Sequence, residues 1–161
     1  MSLAHTTVVF LQNPWFPPGT PENELTTYMT DVEFRRQKLA STMTGSRLLS
    51  LFGPMFYTIW WDNAHPTPLI GNHRAVGDPD PEHMLRVLLE QRPQTVGLLG
   101  KKAVAGMQAL SQEVPLFFDR GHFLGAKIVT GRHPNAMGCT AEELEQFSET
   151  LINRSIGVVG V

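Results

Sequence analysis

The chain has 161 residues, 42% of them hydrophobic and 17% charged, which suits a single domain over residues 1–161 and excludes general disorder. Thirteen basic residues against fifteen acidic ones leave a net charge of -2, which excludes a polybasic coat for nucleic acid but leaves room for a local phosphate-binding patch. A single cysteine, Cys139, excludes an internal disulfide and any four-cysteine zinc or iron–sulfur site. The start of the chain has no basic region leading into a long apolar run, and no stretch approaches the length of a membrane span. A monomer in a reducing cytoplasm is therefore expected, with neither signal peptide nor membrane contact.

In chain order, HTTVVFL (5–11) is short, β-branched and bounded by QNP, and reads as a buried strand. A proline-rich loop is expected over 13–23. Residues 31–53 read largely as helix, with Val32, Leu39 and Met43 on one face and Gly45 as the point where it would divide. MFYTIWW (55–61) reads as a second strand and 62–80 as a loop. The segment 80–93 is a helix with strong end signals: Asp80 as N-cap, Pro81 in the first turn and Pro93 as the stop. TVGLLG (95–100) is a third strand, and a helix opens directly from Gly100. PLFFD (115–119) reads as a short extended piece and AKIVTG (126–131) as a fourth strand. A last helix over 140–155 carries a capping box from Thr140 to Glu143.

Strands alternating with helices predict an α/β fold, a three-layer sandwich with a short, mostly parallel four-stranded sheet flanked by helices. Such sheets bind ligands at the carboxyl ends of their strands. Each predicted strand ends in a polar, loop-forming cluster: QNPW, DNAHP, GKK and GRHPN.

The individual residues in those clusters carry competing readings. Asn13-Pro14 reads first as a turn; its functional reading is an amide, fixed by Pro14, that positions a water or a substrate edge. Asn63 either ends a strand or pairs, as donor and acceptor at once, with an amide-like edge such as that of a pyrimidine. His65, His73 and Arg74 share one loop and read as solvated, although His73 and Arg74 together would suit a phosphate. Lys101 and Lys102 sit at a helix N-terminus, which attracts anions, but the P-loop spacing is absent. His133 follows a rigid strand and is restricted by Pro134, so its imidazole would aim a donor at developing negative charge. Cys139 reads as structural. No histidine pair has metal-ligand spacing, so neither metal nor cofactor is expected.

In order along the chain, these segments resemble the uracil-DNA glycosylase superfamily. LQNPW (11–15) resembles its first motif, Gly-Gln-Asp-Pro-Tyr or Gly-Ile-Asn-Pro-Gly. DNAHPTPLIGNHRAVGDPDPEHM (62–84) and RPQTVGLLGKKAVAGM (92–107) resemble segments of its iron–sulfur branches, and VTGRHPNA (129–136) resembles its last motif. The cluster cysteines are absent, Leu11 replaces the first Gly, and the last motif lacks its Ser-Pro-Leu continuation. The resemblance is thus to a branch without a cluster.

The resemblance implies a hydrolase that cleaves the N-glycosidic bond of uracil or a related modified pyrimidine in DNA, for repair. It implies that Asn13 orients the attacking water and that His133 stabilises the oxygen of the departing base. By the same resemblance Gln12 contacts the base through its backbone, Asn63 reads the pyrimidine edge, and Trp15 stands where thymine's methyl group is crowded out. Phe16 or Tyr28 would stack on the base. Lys101, Arg132 and Asn135 would meet the DNA strand. Two alternatives stay open: an enzyme acting on free or modified pyrimidine nucleotides, and a non-catalytic relative that binds nucleic acid or protein.

Overall fold

The sheet is built outward from β1 (Thr7–Leu11), which is buried at every position. Its alternating side chains feed two separate cores. Val8 and Phe10 join Met84, Leu88, Met107 and Leu110, while Val9 and Leu11 join Leu48, Phe52, Phe147 and Leu151. The first core is covered by α4 (Pro81–Gln91) and α5 (Lys101–Glu113), the second by α3 (Met43–Phe52) and α6 (Ala141–Ser155). This is a mixed α/β fold with helices on both sides of a mostly parallel central sheet. The structure, a computed structural model, describes residues 5–71, 76–134 and 138–155.

Four strands run parallel in the order β3 (Trp60–Asn63), β1, β5 (Thr95–Leu99), β8 (Ala126–Gly131). The sheet nevertheless has six strands rather than the expected four, because β6 (Phe118–Asp119) and β7 (His122–Phe123) form an antiparallel hairpin on β8. Its two-residue turn, Arg120-Gly121, has positive φ at both positions, the geometry that matches strand twist. From β1 the chain moves outward to β3 and then back across β1 to β5. The strand order therefore reverses between β1 and β5, where a crevice opens at the carboxyl ends.

Several expectations need correction. MFYTIWW is not one strand: a 3₁₀ turn covers Gly53–Tyr57 and the strand begins at Trp60. The helix expected over 31–53 is two, α2 (Val32–Ala40) and α3, divided at Ser41-Thr42 rather than at Gly45. Thr42 caps α3 by accepting the Gly45 N–H at 3.0 Å. Gly45 is buried there, and only glycine fits, because a Cβ would run into the Leu39 carbonyl. A further helix, α1 (Glu22–Thr30), and the paired short strands β2 (Trp15–Phe16) and β4 (Leu69–Ile70) occupy stretches not read as regular structure. The Asp80 cap and the Thr140 cap form as expected, accepting the amides of His83 and Glu143, each at 3.1 Å.

The outer edge of β3 is closed by two buried arginines of α2. Arg35 Nε donates to the Trp61 carbonyl at 2.9 Å, and Arg36 donates to that of Ile59 from Nε at 3.0 Å and Nη2 at 2.9 Å. Guanidinium groups thus occupy acceptors that an edge strand would otherwise expose. Arg36 also pairs with Glu33 and donates to His5 Nε2, whose Nδ1 donates in turn to Gln91. No helix among the described residues is long and apolar enough to cross a membrane.

Candidate functional site

Beyond β1 and β3 the chain keeps its parallel pairing for two more residues. Ala64 N–H donates to the Leu11 carbonyl at 2.8 Å and His65 N–H to that of Gln12 at 2.9 Å. Pro14 then turns the chain into β2, which pairs with β4. These bonds hold Gln12, Asn13, Trp15 and Phe16 on one side of the crevice, with Asn63 at the end of β3 facing them.

One cavity of about 360 Å³ opens there, lined by Gln12, Asn13, Trp15, Phe16, Asn63 and His133. Residues 12–16, 63 and 133 are far apart in sequence, and the sheet topology brings them to the same crevice. Tyr28 of α1 joins the wall, as do Lys38, Ser41, Thr42 and Thr44 from the α2–α3 junction. Trp15 is 39% exposed and sits at the mouth, whereas Phe16 is 4% exposed and packs edge-on against Tyr28 at 5.2 Å. Lys38 lies 5.5 Å from the Phe16 ring centre and pairs with Glu24 at 2.6 Å.

Asn63 is held on two sides. Its backbone N–H donates to Asp62 Oδ1 at 2.8 Å, and its Nδ2 donates to Tyr28 Oη at 3.0 Å. Burial pushes the Tyr28 phenol up to about 12, against a smaller opposing effect of the Asn63 bond, so the hydroxyl stays neutral. Asp62 also accepts from His83 Nε2 and Trp60 Nε1, both at 2.9 Å, and faces Arg35 at 3.8 Å. Burial acts to raise the Asp62 carboxyl. The His83 bond and the Arg35 charge outweigh it and hold the group below its ordinary value. A buried carboxylate thus braces the residue behind the cavity.

Asn13 Oδ1 accepts the Gly77 N–H at 3.2 Å, so the loop that carries Gly77 fixes the orientation of the Asn13 amide. His133 follows β8 and lies against Gly100, the residue that ends β5. Gly100 has φ of +105°, and a Cβ there would come within 2.7 Å of Gln12 Nε2 and 3.2 Å of His133 Cβ. Only glycine permits this approach of three strand ends. Burial lowers the His133 imidazole from its ordinary value, so it is a neutral donor near pH 7.

A wider groove of about 1090 Å³ adjoins the cavity and shares Gln12, Val76 and His133 with it. Lys101, Lys102 and Arg132 line this groove. Lys102 pairs with Asp78 at 3.1 Å and Arg132 with Glu143 at 3.7 Å. Asn135, His73 and Arg74 lie outside the described residues. His65 donates from Nδ1 to the Asp78 carbonyl at 2.7 Å, tying the loop that supplies Gly77. Burial, then the Glu143 charge, raises the Cys139 thiol above its ordinary value, which disfavours a thiolate nucleophile. Among the described residues no group of three or more His, Cys, Asp or Glu side chains is placed to hold a metal ion.

The polar brace of Arg35, Asp62 and His83 carries no local signal in the sequence, because its members come from three elements. The α2–α3 wall is equally silent. No family model matches the chain, and no curated protein matches it.

Proposed function

We propose that the chain is a DNA glycosylase that hydrolyses the N-glycosidic bond of uracil or a related modified pyrimidine. One observation carries this reading: Asn13, Phe16, Asn63 and His133 line a single cavity that opens into a groove bearing Lys101, Lys102 and Arg132. The groove suits a phosphodiester strand and the cavity suits one base turned out of it. The buried Phe16 offers an aromatic wall, and Asn63 offers one acceptor and one donor to an imide edge.

In the reaction, the bond from the sugar C1′ to the base nitrogen breaks and its electron pair leaves with the base. Positive charge grows on the sugar and negative charge on the base oxygen. Neutral His133 donates a hydrogen bond to that oxygen, while water oriented at Asn13 attacks C1′; the proton it sheds passes to solvent, and the departed base anion takes one up from solvent. The charge development needs a fixed donor more than a strong acid.

Incubation with single- and double-stranded oligonucleotides carrying uracil, followed by alkali, tests the reading. Strand breaks at uracil are expected. Release of uracil from a mononucleotide alone would favour the nucleotide enzyme, and no cleavage across a panel of modified pyrimidines would sink both.

A further inference from the structure

We propose that Tyr28 is a positioning residue, whose hydroxyl holds the Asn63 carboxamide preset to read the edge of a pyrimidine ring. The inference rests on the reading of the cavity given above. A carboxamide turns readily about its last torsion, so an unrestrained one must be ordered when a ligand binds. Here one Nδ2 hydrogen is already engaged with Tyr28 Oη at 3.0 Å. What remains for a ligand is Oδ1 and the second Nδ2 hydrogen. That pair complements a ring edge presenting N–H beside C=O, as at N3 and O4 of uracil.

Tyr28 is itself over-determined. Its ring packs edge-on against Phe16 at 5.2 Å, and the residue is 8% exposed. Its backbone carbonyl accepts from Arg35 Nη1 at 3.1 Å, while Nε of the same guanidinium donates to the carbonyl of Trp61 at 2.9 Å. Arg35 therefore spans α1 and β3 and sets the spacing between positions 28 and 63. A phenylalanine would fill the same ring space. The hydroxyl adds desolvation cost without benefit to packing, and its bond to Asn63 offsets that cost.

Tyr28→Phe keeps the ring and removes the bond. Free uracil, titrated by calorimetry, is expected to bind about tenfold more weakly to this variant. In an Asn63→Ala background the same change should cost nothing further, because the group it positions is gone. The side-chain amide resonances of Asn63 should shift in the ligand-free variant. Binding equal to the wild type, or an equal loss with and without Asn63, overturns the proposal. So do unchanged Asn63 amide resonances, whatever the protein binds. Should Tyr28→Phe fail to fold, the phenol titration is read in Asn63→Ala instead, and a titration identical to the wild type overturns the proposal. A wild-type protein that binds no uracil, with amide resonances that do shift, sinks the pyrimidine reading and the ligand role of Tyr28 with it, but leaves the Tyr28–Asn63 coupling standing.

Discussion

His133 combines rigid placement with a lowered affinity for protons. Partial burial lowers the affinity of its imidazole for protons below that of an exposed histidine. A neutral N–H can stabilise a leaving anion without a buried cation in the empty site. Replacing His133 by Ala is expected to lower kcat by about 10²–10³, the usual effect of losing one such donor. Because the folded imidazole titrates below 6.5, the proposed activity should fall to half only at a pH below 6.5. A half-loss at 6.5 itself would contradict a half-buried His133 with a lowered affinity for protons. Stability carries the same sign: below 6.5 the unfolded chain takes a proton that the fold resists, so stability declines there, and less so in His133→Gln. The residues flanked by proline or closing a strand, Asn13, Asn63 and His133, are legible in sequence because local chemistry marks them. Tyr28 is less legible, since only a bond across 35 positions gives its hydroxyl a task.

Helices and strands with their own periodicity are legible from sequence, and those held by a partner are not. In α1, ENELTTYMT buries only Tyr28, so no apolar stripe announces a helix. MFYTI has the composition of a strand, yet Gly53-Pro54 opens a 3₁₀ turn and Phe56 joins the core shared with Trp61. The β6–β7 hairpin is too short for a period. Its one local sign is Gly121 between aromatic pairs. The edge strand β3 is completed by side chains of α2, and that arrangement has a measurable consequence. Asp62 is held below its ordinary value of 3.8 by His83 and Arg35 against the effect of burial. The stability it contributes is fully present above 3.8 and is lost as the pH falls from there towards its folded value. Melting temperatures followed from neutral pH into acid should drop below 3.8, and Asp62→Asn should flatten that limb while lowering stability at neutral pH. An unaltered acid limb in the variant would remove Asp62 from the brace.

For the whole molecule, a net charge of -2 conceals an uneven surface. Lys101, Lys102 and Arg132 gather along one groove beside the cavity, and two of them already pair with Asp78 and Glu143. Those pairs are exposed, with both carboxylates accessible, and are worth little on their own. A phosphodiester strand can therefore exchange for them, releasing condensed cations as it binds. Affinity for single-stranded DNA should fall linearly with salt on logarithmic axes, by about 0.7 for each phosphate neutralised. Lys101→Gln and Arg132→Gln should each lower that slope by about one such contact and weaken every sequence alike. Free uracil has no phosphate, so its binding gains nothing from either cation. A salt slope unchanged in both variants would separate the groove from the strand and leave the cavity to a ligand without a DNA backbone.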